Sequence, residues 1–336
     1  MAPDAGLSRA TFAKLSPYPY LLANLEPSDK DVPPARSNGR APGECRPPTA
    51  NLSSLAHANG SAVVRMGDTT VVCGVRCETI LTSKIPNYRA SNDETEIKDY
   101  DLLVPNIELA TGCAPQFLPG GPPTTLAQTL STRIYSLLHS SRLVQADDLR
   151  IWHTKPDENL EQDEDRMEED TNEPSDINNQ HVAAYWVLYV DIFFISFDGN
   201  PFDAAWAATL AALKDTKIPV ARYDTDRELV TCSRSNVKSL SLNGMPVACT
   251  AAVFTGKETD RPADGKYWLL VDPDRLEETL CDESVTVVVD ETDGVTKILS
   301  LSKHGGLILS PHHLRSKDFF GWASKRWRDV VAAITK

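Results

Sequence analysis

The stretch that decides the fold is Ala58-Asn-Gly60-Ser-Ala-Val-Val-Arg-Met-Gly67-Asp-Thr-Thr-Val-Val-Cys-Gly-Val75. Residues 61–64 and 69–75 are rich in β-branched and apolar side chains, which favour strands. The intervening residues 66–68 have the composition of a tight turn, so the simplest structure is a β-hairpin. We expect a positive φ at Gly60 and Gly67, because glycine adopts that conformation without steric cost.

The length and composition are typical of a globular protein with a substantial core. The chain has 336 residues, of which 41% are hydrophobic, enough for two modest domains or one large α/β unit. No uncharged apolar run of about 18 residues occurs, so the sequence predicts no membrane span. The N-terminal residues lack a basic region followed by an apolar stretch, and we therefore expect no secretory leader.

The seven cysteines are scattered without a Cys-x-x-Cys spacing or nearby histidines. This pattern does not predict a zinc site. Cys73 and Cys77 would share one face of a predicted strand, and we interpret them as buried thiols. Free thiols favour a reducing compartment, the cytosol or the nucleus.

The net charge of −13 is concentrated in one segment. Residues 157–176 contain eleven Asp or Glu and a single basic residue, Arg166, which leaves −3 on the rest of the chain. Such a composition is typical of a solvated insertion, and we predict that residues 155–180 are disordered; a docking element for a basic partner is the alternative. The global charge therefore does not exclude RNA binding.

Hydrophobic periodicity predicts strand groups that are each followed by helices. The expected helices are 7–25, interrupted by Pro17 and Pro19, then 126–141, 203–213 and 312–334, the last broken near Phe320-Gly321. The expected strands are 49–56, 61–66, 69–82, 101–109, 149–154, 184–197, 239–254 with a turn at Asn243-Gly244, 267–272, 284–290 and 295–300. Because a group of strands followed by helices occurs twice, we predict an α/β (α+β) fold of two similar mixed-sheet halves. Several unrelated α/β folds have the same order of elements.

Short motifs along the chain resemble those of the RNase PH superfamily. They begin with Arg36-Ser-Asn-Gly-Arg40, Glu44-Cys-Arg46 and the hairpin at 58–75. In the same order follow Val104-Pro-Asn-Ile-Glu-Leu109, Asp147-Asp-Leu-Arg-Ile151, Asp191-Ile-Phe-Phe-Ile-Ser-Phe-Asp-Gly-Asn200 with Asp203-Ala, and Val271-Asp-Pro273 with Glu277-Glu278. The ordered set resembles the branch that forms the ring of the eukaryotic RNA exosome, from Arg36 to the late 320s.

The resemblance implies an RNase PH-like fold and a place in a larger assembly. It implies an N-terminal helical extension and linker at 1–34, a first domain at 35–225 with the acidic insertion, and a second domain at 226–336 with C-terminal helices. The implied partners are other RNase PH-like subunits in a six-membered ring, RNA-binding cap proteins, RNA in the central channel and an exosome-associated nuclease. The implied role is structural support, without a cofactor, of 3′-to-5′ RNA processing and degradation, including rRNA maturation and mRNA turnover, in the nucleus, nucleolus and cytoplasm.

The segment that matches the phosphate-binding loop of active relatives departs from their pattern. Those relatives carry Gly-Thr-Arg at the start of a helix, whereas this chain reads Gly199-Asn200-Pro201-Phe202-Asp203. The segment offers no arginine, Pro201 has no N–H to donate, and Asp203 would repel phosphate. We therefore predict no catalytic residue in this chain. The alternative is an active phosphate-dependent 3′ exoribonuclease.

A pair of arginines that grips RNA in several relatives is also missing. The matching positions in the helix at 126–141 are Ser136 and His139. Arg133 and Arg142 would compensate only if they faced the channel, and as long amphipathic side chains we expect them to reach solvent.

Other chemistry-bearing patterns are weak. Asp272 and Asp274 flank Pro273, a pattern typical of a turn, with a magnesium site as the alternative. No phosphate-binding Gly-x-x-x-x-Gly-Lys loop and no Gly-x-Ser-x-Gly motif occurs. The cluster Lys325-Arg326-Trp327-Arg328 is either an RNA-binding patch or part of a helix that docks on the fold, and the aromatic residues favour docking.

Two cations remain as candidate RNA contacts. Lys84 and Arg89 lie in a region where relatives direct basic side chains towards the channel, although ordinary solvated charges are the alternative. If this loop faced away from the channel, the chain would be an RNA-free scaffold.

Overall fold

The computed structural model describes residues 8–29, 31–90, 92, 95–119, 121–154, 180–256, 267–306, 311–316 and 318–336. The helices are α1 (Arg9–Leu15), α2 (Pro17–Leu25), α3 (Glu96–Asp99), α4 (Thr125–Ser140), α5 (Ala146–Leu149), α6 (Pro201–Asp215), α7 (Arg275–Leu280), α8 (Pro311–Ser316) and α9 (Phe319–Thr335). The strands are β1 (Pro48–Leu52), β2 (Gly60–Met66), β3 (Thr69–Leu81), β4 (Leu103–Leu109), β5 (Arg150–Thr154), β6 (Gln180–Ser196), β7 (Lys217–Asp224), β8 (Leu229–Ser239), β9 (Val247–Thr255), β10 (Tyr267–Val271), β11 (Glu283–Asp290) and β12 (Lys297–His304). The predicted acidic insertion lies outside the described residues, except for Gln180.

Two sheets organise the described part of the chain. The first has the order β1-β2-β3-β6-β4, with β5 also paired to β6, and it is mixed because β4 runs parallel to β6. The second has the order β10-β9-β11-β12 and is antiparallel. Strands β7 and β8 form a separate antiparallel pair. The predicted α/β fold of two halves is confirmed, although the second sheet is antiparallel rather than mixed.

The predicted hairpin is formed by β2 and β3, in a register that pairs Val63 with Val72. Gly67 has a φ of +60° in the turn, as expected. The expectation for Gly60 is wrong, because this residue lies within β2. A Cβ atom at Gly60 would lie 2.6 Å from the Ala212 carbonyl oxygen, so close packing against the end of α6 requires the glycine there.

Helix α6 is the central element of the core. It packs against β2 and β3 of the first sheet and against β9 of the second, and every residue from 201 to 213 is buried. A helix that is buried on all sides is typical of such a position between two layers. The indole Nε1 of fully buried Trp206 donates to the Pro246 carbonyl oxygen at 2.7 Å, which satisfies its polar group.

The two ends of the chain depart from the predicted elements. The predicted helix at 7–25 is two helices, because Pro17 lacks the N–H needed within a helix and instead starts α2. The C-terminal break lies at Asp318, whose φ is +57°, just before the expected position. Sequence patterns did not predict β7, β8, α3, α5 or α7. Among the described residues, no helix is both long and apolar enough to cross a membrane.

Candidate functional site

The turn between β6 and α6 begins the segment 199–203, which the sequence predicts not to bind phosphate. Gly199 has a φ of +78°, and a Cβ atom there would lie 2.5 Å from the backbone of Asp274. Asn200 follows in a left-handed conformation, and its Nδ2 donates to Asp203 Oδ2 at 2.9 Å and to Asp272 Oδ1 at 2.8 Å. The turn is therefore fixed against the segment that links β10 to α7.

Asp203 lies in the interior rather than on the surface of this turn. Its side chain is 3% exposed, and it accepts hydrogen bonds from Thr250 N at 2.8 Å and Thr250 Oγ1 at 2.7 Å. Burial raises the pKa of Asp203, against the effect of the bonds from Asn200 and Thr250. This carboxylate joins α6 to β9, and it does not line the cavity in front of α6.

The carboxylate of Glu278, a residue of α7, lies at the N-terminus of α6. Its Oε1 accepts a hydrogen bond from Asn200 N at 2.8 Å, while the next residue, Pro201, has no N–H. Helix N-termini attract anions through their free N–H groups and the helix dipole. Here a carboxylate of the same chain takes that position. Burial raises the pKa of Glu278 to about 7.

A cavity of about 230 Å³ lies in front of Glu278 and α6. The charged side chains that line it are Arg133, Glu278, Asp282 and Glu283, so carboxylates outnumber cations. The guanidinium of Arg133 stacks 3.8 Å from the centre of the Phe202 ring and donates to Thr286 Oγ1 at 3.1 Å. The expectation that Arg133 reaches solvent is wrong, since it bridges α4 to α6 and β11. Desolvation lowers the pKa of Arg133.

The other residues considered on or beside α4 do not add a cation to the lining of this cavity. Arg142 is exposed, as expected, and Ser136 is exposed as well. His139 is partly buried, and its Nδ1 lies 2.8 Å from the Tyr135 carbonyl oxygen.

Two arginines of the N-terminal motifs belong to a buried ion cluster, which consists of Arg36, Arg46, Arg326, Asp272 and Glu277. Arg46 Nε and Nη2 donate to the two carboxylate oxygens of Asp272 at 3.0 and 2.8 Å. Burial alone would raise the pKa of Asp272, but Arg46 and Arg326 hold it well below its usual range. Arg36 Nη1 lies 3.2 Å from Glu277 Oε2. These arginines join the N-terminal segment to the end of β10 and to α7.

Helix α9 contributes the last member of the buried ion cluster. Arg326 is 1% exposed, and its Nη1 donates to the Arg46 carbonyl oxygen at 2.7 Å. Trp327 Nε1 donates to the Met245 carbonyl oxygen at 2.7 Å. The prediction that this helix docks on the fold is confirmed; Lys325 and Arg328 remain exposed.

The pair Asp272 and Asp274 serves structural contacts. Asp272 accepts from Arg46 and Asn200, and Asp274 Oδ1 accepts from Glu277 N at 2.9 Å in a capping box that starts α7. Within the described ranges, no group of three or more His, Cys, Asp or Glu residues is placed to hold a metal ion.

Lys84 and Arg89 lie in one exposed loop after β3. Lys84 ends a 3₁₀ turn that spans Thr82–Lys84, and both side chains are exposed. The Arg89 backbone is held by the Tyr100 hydroxyl, which accepts from its N–H and donates to its carbonyl oxygen, both at 3.1 Å. The loop thus has an anchored backbone and free side chains, and its contact with RNA stays a prediction.

The sequence did not predict that Glu278 accepts a hydrogen bond at the start of α6. The spacing Asp274-x-x-Glu277 is a signal for the capping box of α7, but it says nothing about Glu278. That side chain bonds a residue far away in the chain, and only the packing of α7 against the β6–α6 turn brings the two together.

Comparison with known proteins gives consistent matches. The 3′ exoribonuclease family models match in two parts, domain 1 over residues 44–219 and domain 2 over residues 244–316. The exosome complex component rrp43 of Schizosaccharomyces pombe is 32% identical over 89% of each chain. The exosome complex component Rrp42 of Methanopyrus kandleri is 29% identical over 89% of this chain and 90% of that one. A structure of the Archaeoglobus fulgidus exosome with RNA bound to the active site has the same fold, with a TM-score of 0.64 and 22% identity over 94% of this chain and 96% of that one.

Proposed function

The chain belongs to the RNase PH family of 3′ exoribonucleases, and on this premise we propose that it is a ring subunit of an RNA exosome with no phosphorolytic site of its own. Relatives that match over nearly their whole length are named exosome complex components. The subunit supports assembly and guides RNA to a nuclease elsewhere in the complex.

The bond between Asn200 N and Glu278 Oε1 carries the non-catalytic part of the proposal. In phosphorolysis, an oxygen of inorganic phosphate attacks the phosphorus of the terminal phosphodiester and the 3′ oxygen of the preceding nucleotide leaves. The site must hold two anions close together, which requires cations and free N–H donors. In this chain, a carboxylate takes the Asn200 N–H, and Asp282 and Glu283 line the cavity in front of it. Phosphate would meet repulsion where active enzymes supply attraction.

The assembly has three further parts under this proposal. Other RNase PH-like subunits complete a six-membered ring, RNA-binding proteins cap it, and an associated nuclease degrades the RNA that leaves the channel. Lys84 and Arg89 contact the RNA backbone at the channel, which their exposure permits. The complex acts in rRNA maturation and mRNA turnover in the nucleus, nucleolus and cytoplasm.

The test is release of nucleoside diphosphates from a 3′-labelled RNA, with and without inorganic phosphate and magnesium. The full chain is assayed alone and after reconstitution with its ring partners. We expect no phosphate-dependent release from the chain alone. Release by the chain alone would overturn the non-catalytic assignment.

If only the reconstituted ring released nucleoside diphosphates, two variants of this chain would be compared within the ring. Arg133→Ala removes the only cationic side chain among the described residues that line the α6 cavity, and Arg142→Ala is the matched exposed control. Equal release by both variants is the expected result, because the active site then belongs to another subunit. Loss with Arg133→Ala alone would mean that this chain lends a residue to a composite site.

A further inference from the structure

Two cysteines from distant parts of the sequence meet beside the buried ion cluster. Cys45 lies in the segment before β1, and Cys249 lies in β9. The segment is held in place on both sides of Cys45, because Val271 N donates to the Pro42 carbonyl oxygen at 2.9 Å and Arg46 N donates to Asp272 Oδ2 at 2.8 Å. The position of Cys45 is therefore fixed by the backbone on either side of it.

The two thiols lie in the same part of the core. Cys249 is fully buried in the apolar cluster of the second sheet, and Cys45 packs against that cluster. The two side chains lie close enough for each to shift the pKa of the other. Both are free thiols, so the pair is reduced.

The surrounding charge separates Cys45 from the other thiols. The neighbouring Cys249 thiol lowers the pKa of Cys45, and Arg326 lowers it further against the effects of burial, Asp272 and Asp203. All seven cysteines lie in the described residues, and the pKa of each of the other six is raised. Arg326 also has a buried Nε atom without a hydrogen-bond partner among the described groups. A thiolate at Cys45 is thus stabilised by the neighbouring thiol and by a cation.

Solvent reaches Cys45 but not Cys249. A groove of about 480 Å³ runs between the segment at 43–48 and α9, and Cys45 lines it with Trp322, Lys325, Arg326 and Asp329. Cys249 is 0% exposed. A small oxidant entering the groove therefore meets Cys45 first, with Cys249 behind it.

We propose that Cys45 and Cys249 form a peroxide-sensitive dithiol, which closes to a disulfide and cross-links the N-terminal segment to β9. The Cys45 thiolate attacks one oxygen of hydrogen peroxide, the O–O bond breaks, and hydroxide leaves and takes up the proton that Cys45 had lost. The sulfenic acid at Cys45 is then attacked by the Cys249 sulfur, whose proton leaves with the hydroxyl group as water. Two thiols and one peroxide give one disulfide and two waters.

The experiment treats the reduced full chain with hydrogen peroxide under native conditions. Remaining thiols are alkylated, the protein is digested without reduction, and peptides are identified by mass spectrometry. The expected product is a peptide that joins Cys45 to Cys249 and is cleaved by dithiothreitol. We expect Cys45 to react at least about tenfold faster than exposed Cys232, because the thiolate is the reactive form.

Variants assign the two roles. Cys249→Ala is expected to leave a sulfenic acid at Cys45 that dimedone traps, and Cys45→Ser is expected to leave Cys249 unoxidised. Cys232→Ser is the control and keeps the cross-link. Oxidation of Cys232 before Cys45 in the wild-type chain would overturn the proposal, as would sulfinic acid at Cys45 beside a free Cys249. Both results come from the wild-type protein and do not depend on how the variants fold.

Discussion

The buried ion cluster and the cationic loop at residues 82–89 contain similar side chains in opposite surroundings. Arg36 and Arg46 are 2% and 8% exposed, and each is paired with a carboxylate. Lys84 and Arg89 extend from an anchored backbone into solvent. The sequence alone does not show which of these four cations are buried. Burial separates them: the first pair joins parts of the fold, and only the second pair is free to meet RNA.

This difference has an energetic consequence. A buried charge that loses its partner costs several kcal/mol, because it can neither leave the interior nor find water. An exposed charge that is removed costs little, because water already solvates it. Substitutions in the buried ion cluster should therefore act on folding, and substitutions in the loop should act on RNA.

The largest expected effect follows from Asp272→Asn. The substitution keeps the shape of the side chain but leaves Arg46 and Arg326 buried without their shared counter-charge. We expect the free energy of unfolding to fall by about 3–5 kcal/mol. Urea unfolding, followed by tryptophan fluorescence and circular dichroism, measures this change in the free energy of unfolding.

The matched control is Asp68→Asn. Asp68 pairs with Arg65 at 3.3 Å on the surface, where the two side chains are 83% and 61% exposed. We expect a change below about 0.5 kcal/mol. Similar losses in both variants would mean that burial does not distinguish the two kinds of ion pair.

An intermediate effect is expected from Glu278→Gln, and it depends on pH. The folded-state pKa of Glu278 is about 7, above its ordinary value of 4.5, so the folded state binds more protons than the unfolded state between these values. The wild-type protein therefore loses stability as the pH rises from about 4.5 to 7. The glutamine variant does not, and its stability relative to wild type should rise across this window by about 2–3 kcal/mol.

Urea unfolding of both proteins at pH 5 and pH 8 measures the change. Glu78→Gln replaces an exposed carboxylate and serves as the control. Its free energy of unfolding should differ from that of wild type by the same amount at pH 5 and at pH 8. A constant difference for Glu278→Gln as well would mean that its carboxylate is solvated and does not cover the start of α6.

The smallest expected effect comes from the double variant Lys84→Ala with Arg89→Ala. Its stability should stay within about 0.5 kcal/mol of wild type. In the reconstituted ring, we expect the free energy of RNA binding to weaken by about 1 kcal/mol. The affinity should also depend less steeply on salt, because a complex with fewer phosphate contacts releases fewer counterions when it forms.

Fluorescence anisotropy at several salt concentrations measures this change. Arg227→Ala, at an arginine that is 76% exposed, is the control for loss of surface charge. Equal effects of the two variants on affinity and salt dependence would contradict a contact at the loop and favour an RNA-free scaffold.

The sequence predicted the elements better than the contacts. The strand predicted at 69–82 and the helix predicted at 203–213 depend on local propensity and periodicity, and both are found nearly as expected, at Thr69–Leu81 and Pro201–Asp215. Gly60 was misjudged because its requirement comes from Thr216 and Ala212, far along the chain. Such a contact leaves no local signal.

The candidate site shows the same limit. The missing arginine and the proline at 201 were visible in the sequence, and their effect on phosphate binding stays a prediction. The inward position of Arg133 was not visible, because its partners Phe202 and Thr286 lie on other elements. Glu278 became part of the site only through tertiary packing.

The most direct test of the central claim is a calorimetric titration of the full chain with inorganic phosphate. We expect no saturable binding by the wild-type protein at pH 8, where the Glu278 carboxylate is ionised and covers the start of α6. A phosphorolytic relative titrated in parallel supplies the positive control. Saturable binding that is lost with Arg133→Ala but kept with Arg142→Ala would contradict the account, because it would place a working phosphate site in the α6 cavity.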